Sequence, residues 1–222
     1  MASIIVITVV IFFLAGHALL IETYRRWFLK MKVFTPVLAA GAPVFFSVII
    51  PARNEEEQIG KCLQSVLNQH YPEAFFEVIV ANDFSTDGTA ACVRQLQGQY
   101  PNLRLLEIEE LLRGQKLNSY KKKAIELAIN AAKGDWIVTT DADCLVTDQW
   151  LQNLSDFINE RKPVFVAAPV KINNTGSFVS IFQSLDFMTL QGVTAASVSA
   201  GRQCTADPPT RHIRTCWCHR IR

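Results

Sequence analysis

The chain has 222 residues, a formal net charge of +2 and 50% hydrophobic residues, which suits one domain with a sizeable core plus a further element. The small charge and dispersed basic residues exclude a nucleic-acid partner, and six cysteines at irregular spacing exclude a disulfide scaffold.

The N-terminus carries the apolar surplus. Ile4 to Ile21 is uncharged throughout, the minimum length for crossing a bilayer core of roughly 30 Å. Arg25, Arg26, Lys30 and Lys32 follow, with Tyr24 and Trp27 placed as interfacial anchors. By the positive-inside rule, the residues after this segment face the cytoplasm. A cleaved signal peptide fits less well, because Met-Ala-Ser at the start has no basic residue. Residues 1–32 are therefore expected to form a single-pass membrane anchor with its basic flank.

From residue 44 the pattern alternates. VFFSVII reads as a buried strand, followed by a helix over EEEQIGKCLQSVLNQ with Ile59, Leu63, Val66 and Leu67 on one face. FEVIVAND is a second strand, and STDGTAACVRQLQ opens on capping residues and continues as a helix. NLRLLEI is a third strand. The helix SYKKKAIELAINAAKG carries a stripe of Ile125, Ala128, Ile129 and Ala132 and is expected to close on Gly134. DWIVTTDAD is a fourth strand, DQWLQNLSDFINE a helix and PVFVAAPV a fifth strand. Strands alternating with helices of this length predict an α/β fold with a mostly parallel sheet.

Such sheets bind ligands at the carboxyl ends of their strands. Three strands end in polar residues: Pro51-Ala-Arg-Asn-Glu55, Asn82-Asp83 with the Ser-Thr-Asp-Gly turn after it, and Asp141-Ala-Asp143. One parallel sheet gathers these onto one rim. Asp83 is placed either to accept hydrogen bonds from a base or ribose, or to cap a turn; Ser85, Thr86 and Asp87 are read as turn and cap residues. Asn54 and Glu55 also suit a helix start. On an extended segment Asp141 and Asp143 share one side, where two carboxylates can hold Mg2+ or Mn2+ together with a substrate diphosphate. Lys121, Lys122 and Lys123 begin a helix, where the dipole disfavours cations. Either a nearby anion offsets this or the run is solvated.

SVIIPARNEE, VIVANDFSTDGT, KKKAIELAINAAKGD and IVTTDADC, in this order, resemble family 2 glycosyltransferases of the GT-A fold, over about Phe46 to Lys171. The resemblance implies a GT-A, Rossmann-like domain over residues 44–201. It implies an inverting transferase that takes a nucleotide-diphosphate sugar donor and Mg2+ or Mn2+ and acts on a lipid-linked or polysaccharide acceptor at the membrane. It assigns Pro51, Ala52, Arg53, Asn54, Glu55 and Asp83 to the nucleoside, and Lys121 to the phosphates, with Tyr120 in place of the family's glycine. It assigns Asp141 to the ribose or metal and Asp143 to the metal. The family's Asp-Asp pair is Asn82-Asp83 here.

The tail departs from that pattern. Family members have a second half that supplies the acceptor site and an acidic base, so the catalytic base is unknown here. QCTADPPTRHIRTCWCHRIR has four Arg and three Cys in twenty residues and no apolar periodicity. Cys204, Cys216, Cys218 and His219 fit no zinc spacing well. A shifted reading frame from Gln203 to Ile213 can encode a Cys-Gly-Ser-Ala-Asn-x-Ala-Tyr segment like that of the family, so residues 202–222 are expected to be out of frame. Two further readings stand beside the transferase. One is a non-catalytic, donor-binding fragment. The other is a nucleotidyltransferase, which PARNEE disfavours because it lacks the glycines of that loop.

Overall fold

A computed structural model describes residues 1–31, 33–35, 41–112, 120–172, 176–200 and 214–218. The chain forms two compact units, Met1–Phe34 with Asn174–Pro208, and Thr35–Asn173 with Pro209–Arg222. This division differs from the one expected, which kept residues 1–32 apart and ended the α/β domain at 201.

The first unit is helical. α1 (Ala2–Leu29) continues without a break past the uncharged segment. It is long and apolar enough to cross a membrane, and its flank between Ser3 and Ile21 is exposed. It packs against α7 (Phe178–Ser199), which is capped by Ser177, whose side chain accepts from the Ser180 N–H.

The second unit holds β1 (Phe46–Ala52), α2 (Glu56–Leu67), β2 (Phe76–Asn82), α3 (Thr89–Gln97), β3 (Leu103–Glu107), α4 (Ile108–Leu112), α5 (Tyr120–Ala131), β4 (Trp136–Thr140), α6 (Trp150–Arg161), β5 (Val166–Ala167) and β6 (Arg214–Cys218). The sheet order is β3-β2-β1-β4-β6-β5, with every pair parallel. The α/β expectation holds.

Alternation along β1 sorts the core into two layers. Phe46, Val48 and Ile50 pack with Ile59, Leu63 and Val66 of α2, Val93 of α3, and Leu151 and Ile158 of α6. Ile49 packs on the other face with Ile79, Ile137 and the two alanines Ala124 and Ala128 of α5. Covering both faces explains why β1, β2 and β4 are continuous apolar runs rather than alternating ones. Each fully buried Ile, Leu or Val there stabilises the fold by about 1.5–3 kcal/mol. α2 carries Glu56 and Glu57 in its first turn, where the helix dipole favours them. α6 ends on Lys162 in the left-handed region at φ 46°, its N–H donating to Ile158 O.

Several sequence expectations are corrected. Gly134 does not close α5, which ends at Ala131. A Cβ at 134 would lie 2.5 Å from the Ser47 backbone nitrogen, so glycine is required by the close approach of β1. Of the expected α5 stripe, Ala128, Ile129 and Ala132 face the core as read, Ala124 joins them, and Ile125 is half-buried. β5 shrinks to two residues, and β6 arises between β4 and β5 from the tail, where the sequence announces no element. The side chains of Cys204, Cys216, Cys218 and His219 lie outside the described residues.

Below the sheet, a buried carboxylate ties four segments together. Glu77 Oε1 accepts from Ser47 Oγ at 2.7 Å and from Lys133 N at 2.6 Å. Its other oxygen receives Arg104 Nη1 at 3.2 Å, and the same guanidinium donates to Ala131 O, a carbonyl in the last turn of α5. Gly134 N donates to Ser47 Oγ at 2.8 Å. The α5–β4 connection is thereby fixed against β1 and β2, which aims β4 at the rim.

Candidate functional site

Strand order reverses between β1 and β4: the chain steps outward to β2 and β3, then returns to the other side of β1. A crevice opens at the carboxyl ends of strands where an α/β sheet changes direction in this way. Every sequence-nominated residue except Lys121 lies at the carboxyl ends of β1, β2 and β4 or within three residues of them. Lys121, from the start of α5, reaches the same rim through its partner.

Pro51 and Ala52 are the buried last residues of β1, paired in register with Ala81 and Asn82. Arg53 is exposed, and its charge acts on Asp83. Asn54 adopts φ 54°, a left-handed conformation that asparagine tolerates better than most residues. Its backbone N–H donates to Ser85 Oγ at 3.0 Å, and its Oδ1 accepts from Thr86 N at 2.8 Å. Glu55 N donates to Thr89 Oγ1, Glu56 N to Asp87 Oδ2, and Gly88 N to Glu56 Oε2. The loops after β1 and β2 are thus clasped to each other, with Asn54 as the hub. Asp87 accepts from both Thr89 N and Thr89 Oγ1, the cap role expected of it, and these bonds hold its carboxyl below the usual range.

Asp83 closes β2, its N–H donating to Ala52 O at 2.8 Å. The residue is 5% exposed, and burial pushes its carboxyl above the usual range, partly offset by Arg53. Its Oδ1 is buried without a hydrogen-bond partner. So are Asn82 Oδ1 and Thr140 Oγ1, and among the described residues the remaining such atom is Trp150 Nε1. Native folds pair nearly all buried polar atoms, and three of the exceptions among the described residues fall at the carboxyl ends of β2 and β4. Asn82 also has a structural reason of its own: its Nδ2 donates to Glu107 Oε2 at 2.6 Å, and Glu107 pairs with Arg94. An aspartate at 82 would set carboxylate against carboxylate.

β4 stops at Thr140, and residues 141–144 form a turn closed by Cys144 N to Asp141 O at 3.2 Å. The expected extended segment is therefore a turn. Within it Ala142 and Cys144 are buried, while Asp141 and Asp143 are partly exposed. Asp141 Oδ1 is 3.0 Å from Lys121 Nζ, so the anion that offsets Lys121 at the start of α5 is a carboxylate of the protein itself. Lys123 pairs with Glu126. Burial pushes the Cys62 thiol far up from its ordinary value, and its sulfur lies 3.6 Å from Asp141 O, beneath the turn.

A cleft of about 570 Å³ is lined by Asn54, Glu55, Glu56, Glu57, Gln58, Asp87 and Asp143. It joins the β1 loop to the Asp-Ala-Asp turn. Five of its lining side chains are carboxylic acids. Sequence reasoning nominates none of Glu56, Glu57, Gln58 and Asp87 for a ligand, since the helix dipole and the turn account for them. Among the described residues no three His, Cys, Asp or Glu side chains gather into a metal cage. Mg2+ and Mn2+ bound with a diphosphate need only one or two carboxylates, the phosphate oxygens completing the shell. Asp141 and Asp143 fit that requirement.

A family profile described as Glycosyl transferase family 2 matches residues 47–191. The chain is 40% identical over 108 residues to glycosyltransferase AglE of Haloferax volcanii, covering 49% of this chain and 33% of AglE. It is 30% identical over 139 residues to the poly(ribitol-phosphate) beta-N-acetylglucosaminyltransferase TarS of Staphylococcus aureus, covering 62% of this chain and 23% of TarS. A mannosyltransferase from Pyrobaculum calidifontis, solved with GDP-Man and Mn2+, superposes with a TM-score of 0.57 at 25% identity, over 79% of this chain and 47% of that one. The chain spans a third or less of the length of these two curated relatives. With the parallel sheet, the rim at its switch point and a profile match covering most of the chain, the chain belongs to glycosyl transferase family 2.

Proposed function

We propose that this chain binds a nucleotide-diphosphate sugar together with Mg2+ or Mn2+ and serves an inverting transfer of the sugar to a membrane-proximal acceptor, lipid-linked or polysaccharide. The observation that carries this reading is the buried, unpartnered Oδ1 of Asp83 at the carboxyl end of β2, beside the loop that follows β1. Asp83 accepts from a ring N–H or ribose hydroxyl, and such a bond returns part of what burying its carboxylate costs. Pro51 to Glu55 form the wall beside it. Asp141 and Asp143 are the carboxylates that hold the divalent ion, which when bound offsets charge on the leaving diphosphate. Lys121 supplies a further positive charge to the phosphates. The relatives support the class of donor and acceptor: one is a polymer-modifying transferase, and the Pyrobaculum enzyme was solved with a nucleotide sugar and Mn2+.

α1 anchors the chain in the membrane, and the basic residues after it put the rest on the cytoplasmic side. Residues 202–222 are read as out of frame, and resequencing the codons for Ser199 to Arg222 decides that point.

The test is calorimetric titration of the protein with UDP and GDP, with Mn2+ and with chelator. Micromolar binding that disappears in chelator and in Asp143→Ala supports the reading. Affinity unchanged by both treatments sinks it.

A further inference from the structure

The first turns of α7 direct apolar side chains outward. A helix packed on a core turns its apolar stripe inward. Along the first four turns of α7 the covered positions are Ser180, Ser184, Phe187 and Gln191, spaced at four, three and four residues, and all but one are polar. Phe178, Ile181, Phe182, Leu185 and Met188 recur at helical spacing and all are exposed, Phe178 at 83% and Phe182 at 63%. A contiguous apolar stripe of this kind marks an interaction surface.

The rest of the unit says what covers it. α7 packs on α1, and the residues of α1 that lose exposure are Glu22, Thr23, Tyr24 and Trp27. A Cβ on Gly192 of α7 would lie 3.8 Å from the ring of Phe28. This part of α1 directly follows the uncharged run from Ile4 to Ile21, and it carries the aromatic and basic residues of a membrane–water boundary. α7 therefore meets α1 at the level of that boundary. A helix of 22 residues, about 33 Å long, that meets α1 at this level and exposes an apolar stripe is long enough to run along the interface plane.

We propose that α7 is a membrane-surface helix whose Phe178–Met188 stripe is buried in the lipid of the leaflet that α1 leaves. The apolar surface that α1 offers to the acyl chains then continues sideways along α7, and the polar side of α7 faces away from lipid. This inference rests on the membrane reading of α1.

The experiment places the photocrosslinking residue p-benzoylphenylalanine singly at Phe182, Leu185, Phe13 or Gln99 in the full chain, reconstituted into phosphatidylcholine–phosphatidylglycerol vesicles. Phe182 and Leu185 are exposed, so the replacement disturbs no packing. The expected result is phospholipid adducts at Phe182 and Leu185 in yields comparable with those at Phe13, and none at the exposed Gln99 of the other unit. Adducts at Phe13 alone overturn the proposal and leave the anchor standing. Protein–protein adducts in place of lipid adducts at Phe182 and Leu185 also overturn it, assigning the stripe to a partner chain or a second copy. Lipid adducts at none of the four overturn both readings.

Discussion

Lys121 Nζ lies 3.0 Å from Asp141 Oδ1, an ion pair that joins the first turn of α5 to the turn after β4. The lysine is well exposed and the aspartate partly so, which keeps the pair's own contribution to stability below about 1 kcal/mol. On the proposed reading, Asp141 would have to give up Lys121 to serve a divalent ion fully, which would free Lys121 for the diphosphate. Lys121→Ala is expected to tighten binding of Mn2+ alone. It should weaken binding of the nucleoside diphosphate by about tenfold, or 1.4 kcal/mol. Mn2+ titration followed by electron paramagnetic resonance, beside calorimetry with the nucleotide, reads both effects, and a variant with both affinities unmoved contradicts the arrangement.

Asp83 gives a pH prediction. Its folded carboxyl is raised above the ordinary aspartate value by burial. The folded state therefore binds this proton more tightly than the unfolded state does. The stabilising contribution is fully present below the unfolded value and is lost as pH rises through the folded one. Above its raised folded value the ionised, unpartnered carboxylate is a cost. Asp83→Asn should raise the melting temperature by ~2–4 °C at pH 7, with the gain shrinking toward pH 4. Nucleotide binding should fall at the same time. A variant less stable than the parent across the whole range would show that Asp83 has a stabilising partner in solution.

Glu77 is the opposite case, a buried carboxylate with its acceptor capacity used. Glu77→Ala removes the acceptor of Ser47 Oγ and one acceptor each from Lys133 N and Arg104, and should cost about 3 kcal/mol. Glu77→Gln keeps an oxygen for Ser47 and Lys133 and loses only the charge toward a partly exposed arginine, so about 1 kcal/mol is expected. Urea denaturation of the two variants separates these values, and equal losses would mean that charge alone matters here.

Gly134→Ala drives a methyl group into the β1 backbone at Ser47, an obstacle that no side-chain rotation relieves. A loss of about 2–3 kcal/mol is expected from this overpacking. The variant should also weaken donor binding, because the displaced segment leads into β4 and the Asp-Ala-Asp turn. Wild-type stability would show that the α5–β4 connection can move away from β1.

The parts of the fold readable in the sequence are those whose physics is local. Val48, Ile49 and Ile50, or Val78, Ile79 and Val80, announce strands buried on both faces, and Ile59, Leu63 and Val66 announce the helix between them. The rim was readable because polar residues that follow an apolar strand of a parallel sheet fall on its ligand side. The rest depended on partners distant in the chain. Gly134 looks like a helix terminator until β1 is known to pass beside it. Asn54 looks like a ligand contact, and its Oδ1 is bonded to Thr86, thirty-two residues on. The stripe from Phe178 to Met188 has core-facing spacing, and only the structure shows it turned outward. Arg214–Cys218 has no apolar run to announce a strand, and its pairing with β4 is a long-range event.

In the chain as it stands, with residues 202–222 as its tail, the place of β6 in the strand order sets how long the sheet stays open while the chain is made. β4 ends at residue 140 and the strand that covers its outer edge ends at 218. At ribosomal rates of about 5–20 residues per second, that edge stays unpaired for roughly 4–15 seconds after β4 emerges. An open, apolar strand edge invites pairing with other chains. Trp136-Ile-Val-Thr-Thr140 is such a strand, bracketed by Asp135 and Asp141. Flanking charges of this kind act as gatekeepers against aggregation. Asp141 is thus positioned as a gatekeeper of β4 as well as the partner of Lys121 on the finished rim.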